Sequence, residues 1–464
     1  MILKENNINK ILLVFLFSHL LIWTLIPSLV NTNLPLDTIE ALTWGNELQL
    51  GYDKYPPIFP LFTELFYFIF GNQDWAYYLL SQLFVVSAFF IIFKFSENIF
   101  EKKSYSLISV LLLEGIYFYN FTTPELNAFL CQFPFLAATV FYSWESINKN
   151  KQSSWILFGI FAGLATLTYY LSLYLLASLG LFFIYLIIIE KKFNYNYLLA
   201  LSVFFIILSP HLIWIFNNNF SSINYALFRS FGDPLSGFEG PKFIDHILYP
   251  VIFLIKQIII FLPFFLMLFF TIKKTKIKIN YHDKKIIFLI AITFLPVLLM
   301  LLTSLFSGAR IRTMWMTSFY LFTGVFATYL YQKQIYLKYL KKFTLSFLFL
   351  FILSPILYFL VSHIETEKRT DYPGKLISEK IQKEWNKNFS NNIEVVVGEG
   401  WINGGWYAGN LSYHLSTRPF VRRELKNKAF KGIILIRGFN EIKDCKGHKF
   451  QIVNFNDVCM VGNK

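Results

Sequence analysis

The chain has 464 residues, 55% of them hydrophobic and 20% aromatic, with a mean hydropathy of +0.50. That excludes a soluble globular domain or a disordered chain: apolar runs of about 20 residues recur, each long enough to cross a hydrocarbon layer of about 30 Å. The formal charge of +14 does not mark a nucleic-acid binder, because outside the C-terminal tail most lysines sit in short clusters between apolar runs, such as "NKNKQ", "EKKF" and "KKTKIKINYHDKK", the pattern of cytoplasmic loops.

In chain order the apolar runs predict eleven transmembrane helices, at residues 10–30, 76–93, 104–120, 125–146, 154–168, 170–189, 197–216, 246–272, 286–306, 312–331 and 343–362. The first has no small-residue cleavage site after it and reads as a retained anchor. The run "WILFGIFAGLATLTYYLSLYLLASLGLFFIYLIII" is read as a tight pair of helices. A single helix would place the lysine cluster at 273–285 outside and the lysine-free "NNNFSS" inside. Eleven spans set the N-terminus in the cytoplasm and the C-terminus outside.

The predicted class is therefore an α-helical polytopic membrane protein with a small C-terminal α/β domain outside the membrane. The transmembrane domain covers 1–362, with a first outer loop at 31–75, and the outer domain covers 363–464. Within the first loop, "PPIFPLFTELFYFIFG" is too short to span and is expected to lie along the interface. The tail predicts a helix at 373–388 and strands at "IEVVVG", "GIILIRG" and "FQIVNF", with a Gly/Trp-rich loop, "GEGWINGGWYAGN", between them. Cys445 and Cys459 fall in the tail, where an oxidising compartment would permit a disulfide, whereas Cys131 lies in a predicted helix as a small core residue.

The candidate chemistry begins in "LPLDTIEALTWGNELQLGYDKYPP" at 34–57. Asp37 and Glu40 stand three apart and share a helix face, joined by Trp44 one turn later. The same spacing after Pro35 also fits a capping box, with Asp37 as N-cap and Glu40 at the third helical position. Lys54 lies between Tyr52 and Tyr55 before a proline-stiffened turn, placed either to snorkel or to meet an anionic head group. Arg310 and Arg312, with Arg229, are the arginines of the short outer loops; their forks suit phosphate. Lys256 is an ionisable group inside an apolar run, functional or snorkelling. Glu125 and Asn127 at one outer helix end, and His211 near another, complete the candidates. Together, outer carboxylates, outer cations and aromatic walls suit a reaction between a lipid-phosphate donor and an acceptor at the outer leaflet.

These residues resemble the bacterial polyprenyl-phosphate sugar transferases of the GT-C fold, glycosyltransferase family 39, alongside protein O-mannosyltransferases and the lipid A aminoarabinose transferase. The likeness runs along nearly the whole chain, through "DTIEALTWGNELQLGYDKYPP", "PELNAFLCQFPF", "GLATLTYYLSLYLL", "SPHLIWIF", "RTMWMTSFYLFTGVF" and "DYPGKLI". It implies a bacterial inner-membrane enzyme whose first periplasmic loop bears the catalytic carboxylates, Asp37 with Glu40. Polyprenyl phosphate would be received by Lys54, Tyr52, Tyr55, Lys256 and the outer arginines Arg310 and Arg312. Trp44, Glu125, Asn127 and His211 would line the sugar or acceptor pocket. The expected partners are a polyprenyl-phosphate sugar donor, a lipid, glycan or protein acceptor, and membrane lipids, with no cofactor or metal and no nucleic acid. Two positions depart from the family pattern. Thr38 and Ile39 separate acids that the protein-mannosylating branch keeps adjacent, and Tyr169 stands where a lysine is usual.

Two other classes compete. A lipid-linked sugar flippase or transporter would show internal symmetry and buried midplane charges, and an O-antigen polymerase or ligase would centre on a large late loop rich in Arg and His. Here the acids cluster in the first loop, and no Gly-rich nucleotide loop appears.

Overall fold

The computed structural model describes residues 5–232, 241–272, 280, 282–335, 340–398, 405–424, 430–436, 445–451 and 457–464. The chain opens with α1 (Glu5–Val30), α2 (Leu36–Gly45), α3 (Ile58–Phe70) and α4 (Asp74–Ile99). Next come α5 (Lys103–Leu111), α6 (Ala128–Lys149), α7 (Gln152–Thr168), α8 (Ser172–Glu190), α9 (Asn196–Asn217) and α10 (Ser221–Phe231). There follow α11 (Asp245–Ile260), α12 (Leu262–Phe269), α13 (Lys284–Thr293), α14 (Leu295–Ser307), α15 (Thr323–Tyr331) and α16 (Leu340–Ile364). The tail adds α17 (Gly374–Asn388), β1 (Val395–Gly398), α18 (Gly405–His414), β2 (Phe420–Arg422), β3 (Ile433–Ile436), β4 (His448–Gln451) and β5 (Asp457–Val461).

Among the described residues, α1, α4, α8, α9 and α16 are long and apolar enough to cross a membrane, and the bent pairs α11–α12 (44°) and α13–α14 (41°) raise the number to seven. Several of the eleven expected spans are therefore shorter or broken. The bends fall where Pro263 and Pro296 enter the second helix of each pair and remove a backbone donor. The run at 104–120 is not one helix: α5 gives way to 3₁₀ turns at Leu112–Gly115 and Tyr117–Tyr119. Gly115 packs so tightly that a Cβ on it would lie 2.5 Å from Phe264 Cα. The run at 312–331 likewise splits into a 3₁₀ segment, Thr313–Tyr320, and α15. By contrast, the long run at 155–189 is the expected pair, α7 and α8, parted at Tyr169–Leu171. With 13 residues, α3 reaches about 20 Å, short of a full crossing.

The chain divides into two compact units. Unit 1 comprises Met1–Ile26, Leu50–Ile58 and Ser81–Phe359. Its core is aromatic: Phe15 sits 5.9 Å from Phe89 and 5.6 Å from Phe347. Small residues let α7 and α9 approach closely, since a Cβ on Gly159 of α7 would lie 2.5 Å from Ala200 O of α9, and one on Gly163 would lie 2.7 Å from Ile207. Unit 2 comprises Pro27–Gln49, Phe59–Leu80 and Leu360–Lys464. It holds a five-stranded sheet in the order β2-β1-β3-β5-β4. The first three strands are parallel, and β5 runs antiparallel to both β3 and β4. Ile377, Ile381 and Trp385 of α17, with Ala408 and Leu411 of α18, join the sheet residues Val396, Ile434 and Met460 in its core.

One tail expectation changes. The Gly/Trp-rich segment is not all loop, because α18 takes up residues 405–414; residues 399–404 of that segment lie outside the described residues. The strand at "FQIVNF" is described only to Gln451 and "GIILIRG" only to Ile436; most of the lysine cluster at 273–285 also lies outside. Cys445 and Cys459 are disulfide-bonded, and Cys131 is a buried free thiol.

Candidate active site

In unit 2 the candidate acids lie on α2. Pro35, not Asp37, is its N-cap, with φ −60° and ψ 158° and no side-chain capping bond, which overturns the capping-box reading. The helix starts at Leu36 because the proline ring presets the extended entry, so Asp37 falls in the first turn, where the helix dipole favours its charge. Asp37, Glu40 and Trp44 are half-buried on one face, while Thr38, Ile39, Ala41, Leu42 and Gly45 are buried on the other.

That second face is gripped by the tail. A Cβ on Gly409 of α18 would lie 2.8 Å from Thr43 Oγ1 and 2.9 Å from Ile39 Cγ2. Arg418 donates to Glu64 Oε1 of α3 at 2.7 Å and to Leu42 O at 3.1 Å, and its guanidinium lies 3.5 Å over the Tyr67 ring. Asn46 donates to Arg418 O at 3.2 Å, and Arg422 pairs with Glu47. Asn33 donates to Asn410 at 2.7 Å, and Tyr413 donates to Asp74 at 2.7 Å. Glu47 and Glu64 are thus structural anchors. An acid inside the apolar run "PLFTELFYF" was the sequence signal for Glu64, and the reading passed over it.

In unit 1 the segment Leu50–Ile58 forms a turn closed by Tyr52 N donating to Tyr55 O at 2.9 Å. Tyr52 and Tyr55 are buried and Lys54 is half-buried, its ammonium 4.9 Å from the centre of the Tyr55 ring. Tyr55 meets Tyr169 at 5.7 Å, and Tyr169 meets Phe129 at 4.7 Å. Gln132 donates to Ala165 O at 2.8 Å and Tyr169 O at 2.6 Å, which fixes the chain between α7 and α8.

The outer arginines also meet in unit 1. Arg229 of α10 joins Arg310 and Arg312 in a cleft of about 230 Å³, together with Phe228, Tyr249 and Gly308. Arg310 N donates to Ser230 O at 3.0 Å, tying the two segments together. Arg312 lies within electrostatic reach of Arg229, Arg310, Tyr225 and Tyr169. Among the described lining residues there is no carboxylate, and the three arginines gather positive charge that an anion would neutralise.

The remaining candidates are placed differently. Lys256 projects from the exposed face of α11, beside Leu254, Ile255, Ile258 and Ile259, and does not line the arginine cleft. Asn127 is the N-cap of α6, accepting from Phe129 N at 3.0 Å and Leu130 N at 3.2 Å, and Glu125 is exposed just before it. His211 has both ring nitrogens engaged, Nδ1 with Leu50 O at 2.7 Å and Nε2 with the Tyr170 hydroxyl at 2.7 Å. The sequence reading missed a buried pair, His19 Nδ1 and Glu114 Oε1 at 2.7 Å, although each interrupts an apolar run. Among the described residues no group of three or more His, Cys, Asp or Glu side chains is arranged to hold a metal.

Residues 54–214 match the family described as dolichyl-phosphate-mannose-protein mannosyltransferase. By sequence, no match was found among curated proteins. In fold, the chain is similar to ArnT from Cupriavidus metallidurans. The crystal structure bound to undecaprenyl phosphate superposes with a TM-score of 0.61 at 11% identity, covering 97% of this chain and 97% of that one. The apo form gives 0.62 at 11% identity over 97% and 98%. The fold is GT-C with a small C-terminal sheet domain, and the resemblance to family 39 is borne out.

Proposed function

We propose that the chain is a multi-pass membrane glycosyltransferase that moves a sugar from a polyprenyl-phosphate donor to an acceptor at the outer face of the bacterial inner membrane. The N-terminus lies in the cytoplasm and the tail in the periplasm. The observation that carries this reading is the cleft in which Arg229, Arg310 and Arg312 meet with no acid among the described lining residues. Such a cleft suits a phosphate whose charge grows as the sugar leaves it. Support comes from the fold shared with ArnT, whose structure holds undecaprenyl phosphate, and from the family match, which begins at Lys54.

In this reaction the acceptor displaces polyprenyl phosphate directly from the sugar carbon. Lys54 and the arginines take the leaving phosphate. Asp37, with Glu40, orients the acceptor and removes the proton from a hydroxyl acceptor; a lipid A phosphate is already anionic and needs orientation alone. Trp44, on the same face of α2, offers a ring for a sugar to lie against. The chemistry uses no metal. The acceptor is a lipid A or lipopolysaccharide phosphate, a glycan, or a protein hydroxyl, and the sugar is a hexose or a pentose.

Mass spectrometry of envelope lipids and glycans tests this in wild-type cells, a deletion strain, and Asp37→Asn at matched membrane levels. One sugar should vanish from a lipid, glycan or protein in both deletion and variant, with its polyprenyl-phosphate donor accumulating. With a hydroxyl acceptor, turnover by purified Asp37→Asn should fall at least about 100-fold, the lower bound for a lost general base. Unchanged glycans in the deletion strain, with altered uptake or export of a solute, would sink the transferase reading.

A further inference from the structure

The Tyr170 hydroxyl touches α10, the helix that supplies Arg229, and reaches the Lys54 turn through His211. It lies 2.7 Å from His211 Nε2 and 2.8 Å from Ser222 Oγ. His211 carries the connection onward, with Nδ1 2.7 Å from Leu50 O. A carbonyl oxygen only accepts, so Nδ1 bears the proton and the neutral ring's Nε2 accepts from Tyr170. Tyr170 then accepts from Ser222. The chain of bonds runs Ser222 to Tyr170 to His211 to Leu50, every donor and acceptor matched.

Its ends matter. Leu50 opens the turn that holds Lys54, and Ser222 lies in the first turn of α10, whose last turn holds Arg229. The seating is tight. His211 is 1% exposed and Ser222 0%. The imidazole centre lies 5.8 Å from that of the Tyr170 ring, which meets it hydroxyl-first, and 6.0 Å from Trp214, and Gly51 is pressed against it: a Cβ there would lie 2.4 Å from Trp214 and 2.8 Å from His211. The neighbouring Tyr169 meets Tyr55 and lies within electrostatic reach of Arg312. Tyr170 therefore stands where α7 hands over to α8, bonded toward both cationic segments at once.

We propose that Tyr170, acting through His211 and Ser222, is a positioning residue that holds the Lys54 turn and the Arg229 helix as one preformed clamp for the donor phosphate. This rests on the reading of the arginine cleft as the phosphate site. Without the hydroxyl both segments lose their shared anchor, and the donor must order them on binding. A residue that merely stabilised the fold would weaken donor and acceptor use alike.

The test uses full-length protein in lipid nanodiscs. Hydrogen exchange is followed in peptides covering 50–57 and 221–231, with binding of undecaprenyl phosphate and both Michaelis constants measured in parallel. Tyr170→Phe keeps the ring and removes both bonds, and should speed exchange in both segments and weaken undecaprenyl phosphate binding about 10-fold, the effect of roughly one net hydrogen bond. The acceptor KM should not move. Ser222→Ala should loosen 221–231 alone. His211→Asn, which retains a donor near Nδ1, should preserve the 50–57 segment better than His211→Ala. If Tyr170→Phe leaves exchange in both segments and donor binding at wild-type values, the clamp is disproved while the transferase reading survives. Wild-type protein that does not bind undecaprenyl phosphate overturns the phosphate-site reading and the clamp with it.

Discussion

His414 shows how much a single side chain in the tail can tie stability to pH. Its Nε2 lies 3.3 Å from Asn33 Oδ1, and Gly374 comes so close that a Cβ on it would sit 2.9 Å from the ring. Burial, and then the charge of Lys375, push its pKa from 6.5 down to about 4. The unfolded ring therefore binds a proton that the folded ring refuses between those values. Stability is complete above the unfolded pKa and falls as pH drops toward the folded one, by up to about 1.4 kcal/mol per pH unit. The apparent melting temperature of the purified protein should drop between about pH 7 and about pH 5, and His414→Gln should flatten that slope. An equally steep slope in the variant would show that other groups control it. The acids of α2 were easier to foresee than this histidine. Asp37, Glu40 and Trp44 share a face by spacing alone, whereas the environment of His414 is made by Asn33, far away in sequence.

At the scale of elements, α2 within unit 2 depends on the tail for its setting. Arg418 uses its fork on Glu64, a further donor on Leu42 O and its flat face on Tyr67. Arg418→Ala leaves Glu64 and a helix-end carbonyl without that partner. It should destabilise the α2–α3 region by about 2 kcal/mol, the range for losing hydrogen bonds to a charged group at a half-buried site. Amide exchange in α2 should rise accordingly, and Arg418→Lys should rescue little of it because an ammonium cannot replace the fork. Unchanged exchange in Arg418→Ala would mean that Gly409 and its neighbours suffice to hold the helix. None of this clasp was legible in the sequence, where Arg418 and Glu64 are 354 positions apart. Helix α17 and strands β1 and β3 were legible, since their apolar patterns are local. Helix α18 was hidden by the glycines of "GGWYAGN", which read as loop; Gly409 is instead the residue that lets α18 close on α2. Strands β2 and β5 were missed because three residues ending in arginine and the short "DVCMV" show no alternation. The breaks near Gly115, Pro263 and Pro296 were missed because hydropathy sums a window and does not register one residue that breaks a helix.

For the whole molecule, the lysine clusters between apolar runs and the cysteines of the tail bear on the same question, which side of the membrane the tail occupies. The sequence holds three cysteines. Cys131 is buried in α6 of unit 1, and Cys445 and Cys459 are bonded to each other in unit 2. A disulfide persists in the periplasm and is reduced in the cytoplasm. The proposed orientation therefore fixes a stoichiometry. Protein denatured without reductant and treated at once with a maleimide should take one label per chain, at Cys131. With reductant it should take all three. Cys131→Ser should take none before reduction and two after it, which assigns the labels. Three labels without reductant in the wild type would mean that the tail matures in a reducing compartment. The positive-inside argument would then have the wrong parity, and Asp37, Lys54 and the arginine cleft would have to be reconsidered on the cytoplasmic side, where nucleotide-linked sugars compete as donors.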